Sequence, residues 1–373
     1  MYTDLKKKSF NSVLIDISHP AKVHLFKNLY NELTKKGYHI FFTTRNQKSI
    51  IELLEIYNFK YVVIGKKNDS IFMKFFNQLN YIIKLKRIIS NQGVKIAIGS
   101  ITLSLLHILY KGFHLVMLDD DDDDIQPFIS YLAHPFCDTL LSPSPLKGHR
   151  NKGNTIFYLG YHELAYLYPT RFKPDKKILS QAGLTNKEKY FVLRFNSFKA
   201  HHDIGAQGLA LENKRKLIIT LKSYGKIFIT SERELEPEFE AYRIKIDPHK
   251  IHSFLYYATM FIGDSQTMTS EAAILGVPAF KCNSFAGKLT VPNEIENKYG
   301  LCYSFQPHEF DKMLSKIKEL LINKNLKQEW AVKRQRLLND KIDVTAFLVW
   351  FIENYPNSTT GFISNPEIQY QFK

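Results

Sequence analysis

The chain has 373 residues, and 45% of them are hydrophobic, which is enough for the cores of two ordinary domains and excludes a disordered or fibrous protein. Lys and Arg number 51 against 36 Asp and Glu, a formal charge of +15, which favours anionic partners such as nucleotides, phosphorylated lipids, nucleic acid or an acidic membrane face. The cysteines Cys137, Cys282 and Cys302 lack CxxC spacing, which argues against a disulfide framework or a zinc site and favours a cytoplasmic protein.

Short apolar runs alternate with helical patterns in the first part of the chain, which is typical of βα units around a parallel sheet. The expected strands are Val13–Ile17, His39–Thr44, Tyr61–Ile64, Lys95–Ile98, His114–Leu118 and Thr139–Leu141, and the expected helices are Ala21–Lys36, Gln47–Tyr57, Ile71–Asn91 and Thr102–Tyr110. The most apolar long stretch, from Ile101 to Leu118, is interrupted by polar residues, so no transmembrane segment is predicted.

The same alternation resumes after residues 161–175, YHELAYLYPTRFKPD, which have the Pro content of an inter-domain linker. Strands are expected at Tyr190–Phe195, Lys226–Thr230, Met260–Gly263 and Val277–Lys281, and helices near Leu209–Ser223, His249–Ala258, Thr269–Leu275 and Val344–Asn354. These patterns predict an α/β protein of two Rossmann-like domains, over residues 1–165 and 166–340, with parallel sheets facing a central cleft. Residues 341–373 are expected to pack back on the first domain.

The loops after the strands are the candidate sites, because ligands of open parallel sheets bind outside the carboxyl ends of the strands. After the first strand, residues 16–20 (DISHP) bring a carboxylate and an imidazole to the start of a helix. His19 is a candidate base for a substrate hydroxyl, since the ordinary pKa of histidine lies near neutrality. The alternative is structural, with Ser18 as the helix cap; His24, one turn into the helix, is expected to pack.

A second candidate site is the segment 261–280, FIGDSQTMTSEAAILGVPAF. A strand is followed by a short polar turn, and the next helix begins where its free N–H groups face an anion. Ser265, Gln266 and Thr267 form the turn that can bind phosphate oxygens, and Glu271 can accept hydrogen bonds from ribose hydroxyls. Ordinary capping of a core helix is the alternative interpretation.

A third loop, residues 194–203 (RFNSFKAHHD), follows the first strand of the second half. Arg194, with Asn196 beside it, is expected to contact a diphosphate. His202, or its neighbour, is a candidate acid or base oriented by Asp203. No further ligand at useful spacing supports a metal in this loop, so no metal is expected.

Two charged segments remain. The carboxylates Asp119–Asp124 repel one another, and since consecutive residues cannot all face one ion, a solvated loop is expected in which Asp119 or Asp120 points inward. Residues 71–89, IFMKFFNQLNYIIKLKRII, predict either a helix on a membrane surface or, preferred here, a core helix with solvated lysines. Abundant Tyr and Phe have no nucleic-acid motif beside them, so no nucleic-acid partner is expected.

Four blocks carry a resemblance to a known family: VLIDISHPAKVHLFKNLYNELTKKGYHI, YHELAYLYPTRFKPD, LRFNSFKAHHDIGAQGL and IHSFLYYATMFIGDSQTMTSEAAILGVPAF. With these the sequence resembles domain-of-unknown-function family 354, itself similar to GT-B glycosyltransferases and to UDP-N-acetylglucosamine 2-epimerase. In the epimerases a matching Asp-Ser-Gly-Gly turn precedes a helix with a Glu, the Ser contacting the UDP phosphates and the Glu the ribose. The resemblance implies these roles for Ser265 and Glu271.

The sequence also departs from the epimerases at their charged positions. Gln266 and Thr267 replace the Gly pair, His19-Pro20-Ala21 stands in place of Arg-Pro-Glu, and the epimerase His-Arg-Arg-Glu segment is absent. The resemblance therefore implies nucleotide-diphosphate binding and argues against the epimerase reaction.

The expected function is a metal-independent GT-B glycosyltransferase without cofactor, in surface polysaccharide or glycolipid synthesis. The C-terminal half is expected to hold a nucleotide-diphosphate sugar, most simply a UDP-sugar, and His19 of the N-terminal acceptor domain to deprotonate an acceptor sugar or lipid-linked sugar. A nucleotide-sugar epimerase and a non-catalytic basic protein that binds nucleic acid or membrane are the alternatives. A cytoplasmic location is expected, with peripheral contact to the inner face of the membrane through 71–89 as an option.

Overall fold

The computed structural model describes residues 11–66, 71–150, 154–195, 208–231 and 234–373. The chain divides into two compact units: unit 1 runs to Tyr166 and also includes Ile342–Lys373, and unit 2 is Leu167–Lys341. Within the described ranges, no helix combines the length and the apolar character needed to cross a bilayer.

Strands and helices alternate along both units. The strands are β1 (Ser12–Ile17), β2 (His39–Asn46), β3 (Tyr61–Lys66), β4 (Ile96–Ile98), β5 (His114–Leu118), β6 (Thr139–Pro143), β7 (Thr155–Tyr158), β8 (Tyr190–Arg194), β9 (Lys226–Thr230), β10 (Met260–Gly263), β11 (Ala279–Cys282) and β12 (Cys302–Phe305). The helices are α1 (Pro20–Lys35), α2 (Lys48–Ile56), α3 (Ile71–Asn91), α4 (Ile101–Leu109), α5 (Pro127–Leu132), α6 (Leu164–Leu167), α7 (Lys177–Gln181), α8 (Leu211–Lys222), α9 (Ile251–Tyr257), α10 (Gln266–Ile274), α11 (Thr290–Asn297), α12 (Phe310–Leu321), α13 (Leu326–Asp340), α14 (Val344–Glu353) and α15 (Asn357–Ser364). Short 3-10 helices lie at His134–Phe136, Ser144–Leu146, Pro237–Tyr242, Pro248–Lys250, Pro307–Glu309 and Pro366–Phe372.

Unit 1 is built on a seven-stranded parallel sheet in the order β3-β2-β1-β4-β5-β6-β7. Every residue of β1 is buried, as expected of a strand covered on both faces of a parallel sheet. Helices α3, α4 and α5 cover one face, where Leu85, Leu103 and Leu115 share one apolar core. The strand order reverses between β1 and β4, which makes their carboxyl ends the edge where ligands of such sheets bind.

The C-terminal segment belongs to unit 1. Helix α14 packs against α1, and the hydroxyl of Thr345 donates to the carbonyl oxygen of Ala165 at 2.6 Å. At Gly160 a Cβ would lie 2.4 Å from a methyl carbon of Val344. The absence of a side chain at Gly160 therefore allows α14 to approach the chain after β7.

Unit 2 is built on a five-stranded parallel sheet in the order β12-β11-β10-β8-β9. The order reverses between β8 and β10, which pair directly, Gly263 lying opposite Arg194. A Cβ on Gly263 would lie 2.4 Å from the carbonyl oxygen of Arg194, so glycine allows the two strand ends to meet. The carboxyl ends of β8 and β10 therefore form the reversal point of this sheet.

The α/β class with two Rossmann-like sheets is confirmed. The sequence patterns missed the strands β7 and β12 and the helices α5, α6, α7, α11, α12, α13 and α15, and they began β11 two residues early. Strands β7 and β12 have four residues each, too few for an alternating pattern to stand out.

Candidate functional site

The turn predicted to bind phosphate lies at the reversal point of unit 2. Ser265 is the N-cap of α10: its Oγ accepts from the N–H of Met268 at 3.4 Å, and its carbonyl accepts from the hydroxyl of Thr269 at 2.7 Å. Gln266 and Thr267 form the first turn of the helix and are half-buried. Helix α10 therefore begins just after β10, the strand that pairs with β8. The positive end of its dipole lies at the carboxyl edge of the sheet.

Arg194 brings a guanidinium to the same edge. It is the last residue of β8, and its Nη1 donates to the hydroxyl of Thr230 at the end of β9, at 3.3 Å. On the other side, the amide of Asn283 donates to the carbonyl oxygen of Asp264 at 2.9 Å, which fixes the turn before α10. Adjacent strand ends thus bring Arg194, Ser265 and their neighbours together, as the sequence predicts for parallel strands.

A buried lysine that sequence reasoning missed supports this turn. Lys281 on β11 is 1% exposed, and its Nζ donates to Oε1 of Gln266 at 2.5 Å. Burial lowers the pKa of Lys281 to about 8, against small opposing effects of Cys302 and Glu296. The signal was present in the sequence, as a single lysine at the end of an otherwise apolar predicted strand.

Glu271 takes part in packing as well as being a candidate ribose ligand. Its carboxylate is buried, and Oε1 lies 2.9 Å from Nε2 of His252 on α9. Both side chains are almost fully covered. A substitution at Glu271 therefore disturbs the contact between α9 and α10 whether or not the residue binds a ligand.

In unit 1, the loop after β1 is organised by a buried carboxylate. Asp16 accepts from the hydroxyl of Thr43 at 2.8 Å and from the hydroxyl of Ser100, across the reversal point. Burial raises the pKa of Asp16, although both hydroxyls act in the opposite direction. Gly99 has φ +145° and would carry a Cβ 2.9 Å from the carbonyl oxygen of Asp16, so glycine is required where β4 passes β1.

His19 is exposed and forms the N-cap of α1. Its Nδ1 accepts from the N–H of Ala21 at 3.2 Å, with Pro20 in the first turn. The interpretation of Ser18 as the cap is wrong by one residue, because the first helical residue is Pro20 and the cap immediately precedes it. His24 packs as expected: it is buried, with Nδ1 3.2 Å from the hydroxyl of Tyr57.

The run of six aspartates is not a solvated loop, so that part of the expectation is wrong, whereas Asp119 does point inward as expected. Asp119, Asp122 and Asp123 are at most 9% exposed, and within the run only Asp124 is classed as exposed. The physical reason is a buried arginine that the sequence pattern did not reveal. The side chain of Arg150 is 1% exposed and donates to Oδ1 of Asp123 at 2.5 Å and to the carbonyl oxygen of Asp119 at 2.8 Å.

A buried histidine completes this network. Nε2 of His134 lies 2.8 Å from Oδ2 of Asp119, and Nδ1 lies 3.6 Å from Oδ1 of Asp123. Burial raises the pKa of Asp119, but His134 and Arg150 lower it by more, so the net pKa lies below the ordinary value. Asp119 is therefore a paired, ionised group inside unit 1.

Three consecutive carboxylates converge at the start of this run. Asp119, Asp120 and Asp121 offer oxygens that lie within 4.8 Å of one another, so three of the six carboxylates could face one ion. Burial, then Asp120 and Asp119, raise the pKa of Asp121 well above its ordinary value. Oxygen donors of this kind suit Mg²⁺ or Ca²⁺. Asp120 also lies 3.0 Å from Nδ1 of His162, which follows β7.

Asn196, His202 and Asp203 lie outside the described residues. Of the candidate site residues in the third predicted loop, Arg194 therefore lies within the described part of the chain.

The family model described as "Protein of unknown function (DUF354)" matches residues 11–345. A relative in Methanocaldococcus jannaschii, an uncharacterized protein, is 26% identical over 287 residues, which make up 72% of this chain and 81% of that protein.

Solved structures with the same fold include UDP-GlcNAc 2-epimerases and glycosyltransferases. S. aureus MnaA in a co-structure with UDP has a TM-score of 0.67 at 12% identity, over 94% of this chain and 98% of that one. The UDP-GlcNAc 2-epimerase from Neisseria meningitidis bound to UDP-GlcNAc has a TM-score of 0.63 at 12% identity, over 95% and 98%. The spinosyn rhamnosyltransferase SpnG with spinosyn aglycone has a TM-score of 0.59 at 10% identity, over 92% and 100%. The chain thus has the fold of GT-B glycosyltransferases and UDP-GlcNAc 2-epimerases.

Proposed function

The chain belongs to the family described as protein of unknown function (DUF354), and we propose that it is a GT-B glycosyltransferase that uses a nucleotide-diphosphate sugar. The observation that supports this most is the capped N-terminus of α10 beside Arg194, at the reversal point of the unit 2 sheet. A fold shared with enzymes of nucleotide sugars makes that edge the first place to seek the donor.

In this proposal the donor diphosphate binds at the start of α10. The N–H groups of the first helical turn, with the hydroxyls of Ser265 and Thr267, are donors that match phosphate oxygens. Arg194 supplies a fixed positive charge for the diphosphate. During transfer the sugar–phosphate bond breaks and negative charge grows on the departing nucleotide, so the same donors stabilise the leaving group.

The proposed role of His19 as a base depends on the hydrogen bond by which it caps α1. Because Nδ1 accepts from the N–H of Ala21, the neutral ring carries its proton on Nε2 and has no second lone pair to offer. Deprotonation of an acceptor hydroxyl by His19 therefore requires release of the cap contact. Without that release, Nε2–H of His19 serves as a hydrogen-bond donor to the acceptor.

A nucleotide-sugar epimerase is the second candidate, favoured by the pairing of Asp120 with His162. An epimerase removes a proton from the sugar and returns one to the opposite face, so it needs acid–base groups but no acceptor. The carboxylates and the histidine at the unit 1 edge are of this chemical type. Product formed from the donor alone separates this reaction from transfer.

Thermal unfolding with UDP, GDP, CDP and dTDP tests the donor site. One diphosphate is expected to raise the Tm, since a ligand that binds only the folded chain stabilises it by RT ln(1 + [L]/Kd). The variant Thr267→Val removes a hydroxyl and leaves the Ser265 cap intact, so it should weaken nucleotide binding without a change in the Tm of the free protein. Its matched control is Thr220→Val on α8, whose hydroxyl donates to the carbonyl of Lys216.

A Tm unchanged by every diphosphate would contradict the nucleotide-sugar proposal. Where one diphosphate binds, its sugar conjugate is incubated with and without acceptor sugars. Acceptor-dependent release of the diphosphate supports transfer, and altered sugar or free sugar from the donor alone supports the epimerase.

A further inference from the structure

Several large apolar side chains of unit 1 are exposed on neighbouring elements. Leu109 at the end of α4 is 74% exposed, and Phe128 and Tyr131 on α5 are 75% and 69% exposed. The less exposed members of the set are Ile108, Leu132 and Phe136. Helix α5 packs against α4, and the 3-10 helix His134–Phe136 packs against both. We call these six side chains the apolar patch.

The sequence of α5 places its exposed apolar residues on one side of the helix. Phe128, Tyr131 and Leu132 stand at positions i, i+3 and i+4, which share one side of a helix. The opposite side packs inward through Ile129 and the buried Ser130. Monomeric proteins rarely expose contiguous apolar side chains on this scale unless the surface has a partner.

The helices beside the patch carry only positive charge. Between Ile71 and Leu118 the sequence has no Asp or Glu. The basic residues of this span are Lys74, Lys84, Lys86, Arg87, Lys95 and Lys111. Helices α3 and α4 pack against each other and contribute to the same apolar core as the segment after α5, so all three lie on one face of the sheet.

A contact between Lys86 and Tyr110 places a positive charge beside the apolar patch. Nζ of Lys86 lies 5.4 Å from the ring centroid of Tyr110, the residue that follows Leu109. Lys86, Arg87 and Lys111 are exposed. Cations therefore border the apolar patch on the side of α3.

We infer that the apolar patch and its bordering cations bind the surface of a bilayer that contains anionic lipids. Leu109, Phe128 and Tyr131 enter the boundary between headgroups and acyl chains, where aromatic side chains are favoured. Lys86, Arg87 and Lys111 meet the anionic headgroups. In this arrangement α3 is a core helix that supplies charge, because Tyr81, Leu85 and Ile89 are buried.

Charge favours a lipid surface over a second copy of the chain as the occupant. Two copies joined through this face would bring the exposed Lys86, Arg87 and Lys111 of each copy together, and the exposed carboxylate that precedes α5, Asp124, is one charge against these three. An anionic bilayer offers the opposite charge over an extended plane. The inference does not depend on the reaction that the protein catalyses.

Sedimentation of the full chain with vesicles tests the inference. The vesicles are phosphatidylcholine alone or phosphatidylcholine mixed with phosphatidylglycerol, at low and high salt. The patch variant is Leu109→Ser/Phe128→Ser/Tyr131→Ser. The matched control is Ile219→Ser/Ile322→Ser/Val332→Ser, since these unit 2 side chains are 70%, 73% and 67% exposed.

Wild type and the control variant are expected to sediment with phosphatidylglycerol vesicles, less so at high salt, and the patch variant about tenfold less than wild type. A charge variant, Lys86→Gln/Arg87→Gln/Lys111→Gln, should lose the preference for anionic vesicles with the patch intact. Thermal unfolding checks that each variant is folded.

Three outcomes overturn the inference. In the first, wild type stays in the supernatant with both vesicle types. In the second, the patch variant is folded and sediments like wild type. In the third, wild type is a dimer in solution and the patch variant is a monomer. The last outcome assigns the face to contact between copies.

Discussion

The carboxyl edges of the two sheets both contain a reversal of the strand order, but they differ in the charged side chains that lie there. Each edge forms where the strand order reverses, between β1 and β4 in unit 1 and between β8 and β10 in unit 2. The unit 1 edge carries Asp16 and Asp119–Asp121, whereas the unit 2 edge carries Arg194, Lys281 and the start of α10. Reversal of the strand order therefore indicates where to look for a site, and our proposal assigns phosphate to the unit 2 edge because of the side chains found there.

The two edges also differ in how their buried charge is compensated. In unit 1, Arg150 and His134 lie against Asp119 and Asp123, so the buried carboxylates are paired. In unit 2, Lys281 donates to the neutral amide of Gln266 and forms no ion pair within the described part of the chain. His134 and Arg150 thus hold the pKa of Asp119 below its ordinary value, whereas burial lowers the pKa of Lys281 to about 8.

The variant Arg150→Met should have the largest effect, on the stability of unit 1. Removal of one partner from a buried charged network leaves carboxylates that are buried without compensation, and a loss of about 3–5 kcal/mol in the free energy of unfolding is expected. Urea unfolding measures this loss. The control is Lys36→Met, whose ion pair with Glu353 is partly exposed and should be worth less than about 1 kcal/mol. Similar losses in both variants would show that the Arg150 network is no more important than a surface pair.

Lys281→Met should change the pH dependence of stability. The pKa of Lys281 is lowered to about 8 from an ordinary value of 10.5, so between these values the unfolded chain binds more protons than the folded one. The destabilisation due to Lys281 is complete below pH 8 and decreases as the pH rises through this window. Relative to Lys281→Met, wild type should gain about 1.4 kcal/mol per pH unit above about pH 8.

Urea unfolding of both proteins at matched pH values measures this difference. Comparison with the variant is needed because burial raises the pKa of Cys282 and of Cys302 to about 12, and these thiols destabilise the folded chain in the same alkaline range. If the difference in the free energy of unfolding between wild type and variant is independent of pH, Lys281 stays protonated in this range. The buried charges at both edges would then be retained.

The sequence was sufficient for most strands of the two sheets but not for the charge networks. Apolar runs placed β1, β5 and β10 within a residue of their observed bounds, because a buried strand needs a continuous apolar run. The partners of buried charges come from distant parts of the chain, such as Arg150 for Asp123. No local pattern records such a pairing, so a run of aspartates was interpreted as solvated when it is mostly buried.

The candidate turn was easier to locate than its support. Ser265 was found because a strand followed by a serine and a helix is a local signal. Lys281 and His252 contact that segment from β11 and α9, and local patterns do not indicate which side chains meet across elements. Local capping therefore predicted the position of the turn, and tertiary packing determines the charges around it.

Ser265→Ala tests whether the unit 2 edge binds the anion that its charge suits. Loss of the cap should cost about 1 kcal/mol of stability, and loss of the hydroxyl should weaken binding of the diphosphate. Asp343→Ala is the matched control, because Asp343 caps α14 in unit 1 by accepting from the N–H of Ala346 at 3.0 Å. It should cost a similar amount without effect on nucleotide affinity, measured by titration calorimetry. Equal affinities for the diphosphate in wild type and Ser265→Ala would contradict the proposal that the diphosphate binds at this edge.

His19→Asn should have the smallest effect on stability. It distinguishes the role of His19 as the cap of α1 from its proposed role in proton transfer. Asparagine is a strong N-cap, so the free energy of unfolding should change by less than about 0.5 kcal/mol, whereas His19→Ala should lose up to about 1 kcal/mol with the cap. If His19 takes the proton of an acceptor, both variants lose acceptor-dependent turnover while nucleotide affinity is unchanged. If the Asn variant keeps turnover and only the Ala variant is impaired, the imidazole is needed to start α1, and proton transfer belongs to another group at that edge. Asp120 with His162 is then the first pair to substitute, since it lies at the carboxyl ends of β5 and β7.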